Sequence, residues 1–105
     1  MTNEVGKTDK LLLLLVENGD VDAVAEIYDR HCHPVYSLAL HILREARKAE
    51  DVLHEVFMQV WREPSSFVGR ARDLLAALLA CTYRLARDAK RRSETKISTS
   101  YRSEG

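Results

Sequence analysis

Asp51 and Glu55 are the first residues in this 105-residue chain whose types and spacing could do chemistry. On a helix, positions four apart share a face, and His54, Met58 and Gln59 lie beside them. Two carboxylates on a rigid helix can accept charge-assisted hydrogen bonds from the Arg or Lys of a partner helix. Catalysis would need more, and no nucleophile or known active-site motif accompanies them, so the chain does not read as an enzyme. The remaining choices are a docking face for a basic protein surface and an ordinary solvated helix face; spacing alone leaves both open. A methionine exposed between acids favours docking.

A second group is basic. Arg72, Arg87, Lys90 and Arg91 share one side of a C-terminal helix with Tyr83, and Phe67 stands in the loop before it. Cations there can neutralise phosphates and release counterions. Aromatic rings among them can stack on unpaired bases. The competing reading is a helix whose basic end only complements its own dipole. A third group, His31-Cys32-His33, suggests zinc, but neighbouring helical residues point about 100° apart and rarely converge on one ion. His31 falls on an apolar stripe and is expected in the core. Cys32 and Cys81 form no metal or redox motif. No metal or cofactor is expected.

The elements that must position these residues are helical. Two prolines, four glycines and few β-branched runs favour helices, and 46% apolar residues exclude a disordered chain. The pattern predicts an all-α fold, a compact bundle of about four helices. A first helix spans 10–18 and is stopped at Asn18-Gly19-Asp20. A second runs from Asp22 to Arg44 on a stripe of Val24, Ile27, Tyr28, His31, Val35, Leu38, Ala39 and Ile42, with Pro34 expected to kink or break it. A polar joint, 45–48, leads to a third helix at 48–62. There Ala49, Val52, Leu53, Val56, Phe57, Val60 and Trp61 repeat by threes and fours, the clearest helical signal in the chain. Residues 64–70 read as a loop by composition. A fourth helix at 71–92 buries Leu75, Leu78, Leu79, Thr82, Leu85, Ala86 and Ala89. Residues 1–9 are expected to be flexible, 10–93 to form the domain, and 94–105 to be a linker or disordered tail.

Net charge is zero but unevenly placed: residues 1–69 carry seven Lys/Arg against twelve Asp/Glu, and residues 70–105 nine against four. The acidic part suits a basic protein surface and the basic part a polyanion, which suggests two partners. The apolar run from Leu11 to Val16 is too short to span a membrane, and a reducing cytoplasm is the expected location.

Three segments resemble region 2 of bacterial sigma factors, specifically the extracytoplasmic-function (ECF) group. They are AEIYDRHCHPVYSLALHILRE (25–45), AEDVLHEVFMQVWRE (49–63) and LARDAKRR (85–92). The middle one is similar to the family's most recognisable stretch: an acidic pair, a Val-Phe pair, then Trp. The resemblance covers Asp20 to Arg92. It implies a helical domain whose third helix docks on the β′ coiled coil of RNA polymerase core, through Asp51, His54, Glu55, Met58 and Gln59. It also implies that the loop at about 64–72 captures a flipped base of the −10 element's non-template strand, and that the last helix tracks the melted strand. Ser65, Ser66, Phe67, Arg70, Arg72, Tyr83, Arg84, Arg87 and Arg91 are the DNA-contact residues on this reading. Many relatives are covered by an anti-sigma factor, which is a further partner implied.

The chain departs from the family in places. Ala77-Leu78 stands where Trp-Leu is common, Thr82-Tyr83-Arg84 where Ala-Arg-Asn is common, and Arg87 where Ile often precedes the Asp88 position; His54 replaces a frequent Gln. These changes imply either a different promoter sequence or weak melting. In the second case the chain would be a sigma-like interaction protein that binds polymerase or an anti-sigma factor without opening DNA. A complete ECF sigma factor also carries a second helical domain that reads the −35 element. That domain is expected to be absent here, through truncation or in a natural single-domain protein. A helical regulator whose basic helix enters duplex DNA is the unrelated alternative.

Overall fold

The computed structural model describes the backbone of residues 7–104 and the side chains of residues 7–93. Five α-helices and one 3-10 turn follow in order: α1 (Asp9–Glu17), α2 (Val21–Leu43), α3 (Ala46–Arg62), the single-turn α4 (Ser65–Val68), the 3-10 turn Ala71–Asp73, and α5 (Leu74–Glu104). No strand occurs among the described residues. The fold is the all-α bundle that the periodicity predicts, with three long helices, the shorter α1, and a single turn of helix between α3 and α5.

Local chemistry sets the boundaries. The Thr8 hydroxyl accepts the Leu11 N–H (3.1 Å) at the start of α1, and the Asp20 carboxylate accepts the Ala23 N–H (3.2 Å) at the start of α2. Each satisfies a donor that the first helical turn leaves without an internal acceptor. Between them Gly19 takes φ +86°, which costs glycine nothing and turns the chain back. Arg44 ends α2 at φ 61°, a left-handed cap without glycine. Its N–H returns to the Leu40 carbonyl (2.7 Å) and its Nε to the His41 carbonyl (3.1 Å), which holds the strained residue in place. This cap makes the α2–α3 joint shorter than the expected 45–48, because α3 already begins at Ala46.

Pro34 does not break α2, which runs through it from Val21 to Leu43. It lacks the N–H that would meet the Arg30 carbonyl, yet Ile27 before it and Val35 and Ala39 after it are fully buried. Burial on both sides outweighs one missing hydrogen bond. At the other end of the chain, α5 continues to Glu104, through the segment expected to be a linker. No Gly or Pro interrupts residues 71–104, so nothing in the sequence stops the helix. The expected flexibility of residues 1–9 falls mostly on residues 1–6, which lie outside the described residues; Asp9 already belongs to α1.

The core is built around α2, which packs against α1, α3 and α5. Its fully buried members include Leu12 and Leu13 from α1, Ile27 and Val35 from α2, Val56 and Val60 from α3, and Leu74 and Leu78 from α5. A nine-residue helix such as α1 is not stable alone. Leu12, Leu13 and Val16 hold it by burial, each side chain contributing about 1.5–3 kcal/mol. Along α5, Leu78, Thr82 and Ala86 are buried as expected, Leu74, Ala77 and Cys81 are buried as well, and Leu75, Leu79, Leu85 and Ala89 are only partly buried.

Candidate docking and nucleic-acid interface

Helix α3 divides cleanly. Ala49, Val52, Val56, Phe57 and Val60 face the core, and the Phe57 ring meets Tyr28 of α2 edge-on, centroids 5.0 Å apart. The packing of one side fixes what the other side can present. Asp51 and Glu55 therefore point outward, Asp51 exposed and Glu55 half-exposed. With Lys48 and Val52 they form the α3 wall of an open cleft of about 700 Å³, whose opposite wall on α5 is Leu85, Ala89, Arg92 and Ser93. Lys48 Nζ crosses the cleft to the Ser93 hydroxyl (3.0 Å).

The five residues of the predicted docking set do not share one edge. His54 and Met58 lie toward α2. There, with Val24, Ala25, Tyr28, Phe57 and Trp61, they line an apolar notch of about 210 Å³. Gln59 lies toward α5, where its Oε1 accepts the Cys81 thiol (3.6 Å). Glu55 Oε2 accepts a hydrogen bond from Arg62 Nη2 at 2.6 Å, two turns along the same helix. Arg62 was absent from the sequence-based site; its signal was the i, i+7 spacing to Glu55, which brings two residues back over one face.

The predicted DNA face is part surface and part core. Ser65 and Ser66 are exposed on α4, and the Ser66 hydroxyl donates to the Glu63 carbonyl (2.8 Å). Arg70, just before the 3-10 turn, and Arg72, within it, are both exposed. Phe67 is only 6% exposed. Its expected role as an outward stacking ring is corrected here: residues 64–70 are not an open loop, and the turn of helix at Ser65–Val68 rotates Phe67 into the core beneath α1.

On α5, the Tyr83 ring is 49% exposed. The Arg87 guanidinium lies 5.5 Å from the ring centroid, and Nη1 donates to the Tyr83 hydroxyl (3.2 Å). The pair places a cation against an exposed aromatic ring. Arg91 follows one turn on, 3.9 Å from Asp88. Arg84 leans the other way, its Nη2 3.8 Å from the Cys81 sulfur. Burial pushes the Cys81 thiol above its ordinary pKa; the Arg84 charge and hydrogen bond pull it back in part, and Glu55 adds to the rise.

His31 is not the apolar core histidine expected from the stripe. It is half-buried, with Nε2 3.1 Å from Asp9 Oδ2, and Arg30 Nη1 donates to Asp9 Oδ1 (3.1 Å). This cluster ties the start of α1 to α2. Among the described residues, no group of three or more His, Cys, Asp or Glu side chains could hold a metal ion. Among them, too, no helix is long and apolar enough to cross a membrane.

Comparison with known proteins gives concordant results. Residues 27–95 match the family model described as Sigma-70 region 2. The ECF RNA polymerase sigma factor SigK of Mycobacterium ulcerans is 37% identical over 93 residues, covering 87% of this chain and 50% of that protein. A protein of the same name from Mycobacterium sp. (strain KMS) is 36% identical over 84 residues, 80% of this chain and 44% of that protein. The chain thus spans about half the length of the curated relatives it matches. No solved structure matches.

Proposed function

We propose, from the premise that this chain belongs to the sigma-70 region 2 family, that it is the transcription-initiation module of an ECF-type sigma factor. On this reading it docks on the β′ coiled coil of core RNA polymerase through α3 and engages the −10 element of promoter DNA through α4, the 3-10 turn and α5. The single observation that carries the proposal is the division of α3. Phe57 is sealed against Tyr28 while Asp51 and Glu55 stand outward on the same rigid helix. Carboxylates held that way suit a basic helix, since charge-assisted hydrogen bonds to guanidinium are strong and directional.

The strand-binding part uses a different chemistry. Exposed Arg70 and Arg72 would neutralise phosphates, while the Tyr83–Arg87 surface would stack against an unpaired base. Extruding a base costs a few kcal/mol, which stacking of this kind helps offset. No bond-making step belongs to the module. An anti-sigma factor that covers the docking ridge is a further partner on this reading.

The deciding experiment is a pull-down with core polymerase. Asp51→Arg combined with Glu55→Arg is expected to abolish capture while the helical circular dichroism and Tm stay near those of the parent. Normal capture by the double variant would refute α3 as the docking helix. A second reading, a sigma-like interaction protein that does not melt DNA, is favoured by the inward turn of Phe67, which leaves Tyr83 without a ring from the preceding segment. Capture by polymerase with no opening of any promoter strand would decide for it.

A further inference from the structure

The open cleft between α3 and α5 holds a hydroxyl with cations gathered around it. Lys48, in the first turn of α3, reaches across to α5, and its Nζ donates to the Ser93 hydroxyl at 3.0 Å. Arg92 lines the same cleft. The residues just before the hydroxyl are Lys90, Arg91 and Arg92, all exposed, and Ser93 itself is partly exposed. An unbroken basic run leading into a serine is a surface that an acidic substrate groove can grip. Among the described side chains, Ala86 is the last fully buried one on α5, two turns before Ser93. The helix end can therefore open from Lys90 onward without unpacking the core, and an acceptor hydroxyl enters an active site from such an opened segment.

We infer that Ser93 is a phosphorylation site for a protein kinase that selects basic sequences, and that Lys48 and Arg92 seat the phosphate once it is in place. Neither polymerase docking nor strand binding is required for it. In the transfer, the Ser93 Oγ bonds to the γ-phosphorus of ATP while the bond from that phosphorus to the β,γ-bridging oxygen breaks. The hydroxyl proton passes to a carboxylate of the kinase, and ADP leaves. The product carries a charge of about −1.5 to −2 at neutral pH and three strong acceptor oxygens. Lys48 already stands at hydrogen-bond distance from the oxygen that bears the phosphate, and its other partner, Glu45, is farther away at 3.6 Å. Phosphorylation thus converts a contact to a neutral hydroxyl into a charge-assisted one. It ties the start of α3 to α5 and fixes the direction in which α5 continues past residue 93. Asp51 and Glu55 line the α3 wall of the cleft and repel the new charge. Both effects act in an open, solvated cleft, so the net gain is small and sensitive to salt.

The test incubates the 105-residue chain with MgATP and the catalytic subunit of cyclic-AMP-dependent protein kinase, an enzyme that selects serines after basic residues, and locates phosphate by peptide mass spectrometry. Phosphate on Ser93 is expected, in preference to Ser65 and Ser66, which follow Arg62 but no basic run. Arg91→Gln with Arg92→Gln should slow incorporation by about tenfold or more. The phosphorylated chain should melt about 2–5 °C above the parent. That rise should disappear in about 1 M salt and in the Lys48→Gln variant. Ser93→Glu should reproduce part of the rise, and none of it when combined with Lys48→Gln. Phosphate found only on other hydroxyls, or on none, overturns the assignment of Ser93. A phosphorylated Ser93 with Tm unchanged or lowered, or a rise that survives Lys48→Gln, overturns the seat.

Discussion

Helix α3 and the segment 64–73 carry the two halves of the proposed function, and they are built on opposite principles. The seventeen residues of α3 contain their own specification: an apolar side that fixes the helix to α2 and α5, and a polar side that follows from it by periodicity. The segment 64–73 has one turn of α-helix, one 3-10 turn and one buried anchor, Phe67. Its exposed Ser65, Ser66, Arg70 and Arg72 are presented only because α1 packs behind it. A docking face that must meet a preformed helix benefits from rigidity. A segment that must receive a distorted strand can be held more loosely, since elements that move in recognition are drawn from the less stable parts of a fold.

The largest expected effect tests the rigid half. Phe57→Ala should destabilise the chain by about 3–5 kcal/mol in urea unfolding, because the ring is 6% exposed and wedged against Tyr28. Loss of both docking and DNA binding should accompany it. A loss of stability below about 1 kcal/mol would mean that the apolar side of α3 is not what orients its acids.

Phe67→Ala should separate the two halves. The ring is equally buried, but its surroundings are a single turn of helix that can collapse into the space left, so the cost should fall near the low end of the range for such changes, about 3 kcal/mol. Hydrogen exchange should quicken across 64–73 and leave α3 protected. Polymerase capture should survive where strand binding fails. Equal loss of both activities would erase the distinction drawn between the regions.

That distinction also explains what could be read from the sequence. The partition of α3 was legible because helical period and residue type agree at every position from Ala49 to Trp61. The outward Asp51 and Glu55 follow from it. The inward turn of Phe67 was not legible, since composition marks Pro64 to Arg70 as a loop and only the packing of α1 decides where its ring goes. The α5 stripe was legible in part: Leu78, Thr82 and Ala86 are buried as their spacing predicts, while Leu74, Ala77 and Cys81 widen the buried side. At Pro34 local propensity was read correctly and then overruled by burial on both sides. The Glu55–Arg62 pair depends on side-chain reach, which spacing permits and does not require.

A smaller effect probes the hinge between the regions. The Asp73 carboxylate accepts the Ala76 N–H (3.1 Å), capping the first turn of α5 where it leaves the 3-10 turn. Asp73→Ala should cost about 1 kcal/mol. Asp73→Asn should recover most of it, which would identify the capping bond rather than the charge as the cause. An unchanged Tm for the alanine variant would show that α5 needs no cap there, and that Leu74 alone sets its start.

The smallest effect lies where α5 meets α3 beneath the docking ridge. Cys81 is buried there, its thiol against Gln59 of α3 and beside the Arg84 guanidinium. Burial raises its pKa above the ordinary value, so the folded chain keeps the thiol proton at a pH where the unfolded chain has begun to lose it. The unfolded state then binds fewer protons, and stability falls as pH rises. The contribution is complete below the unfolded thiol's pKa, about 8.5, and is lost as pH rises through the higher folded value. Unfolding free energies measured from pH 7 upward should therefore decline past that point more steeply for the parent than for Cys81→Ala. The thiol itself should resist alkylation at neutral pH, with the half-buried Cys32 reacting first. If Cys81 were alkylated as readily as Cys32, the α3–α5 contact would be open to solvent, and α3 would be less firmly seated than its proposed docking role requires.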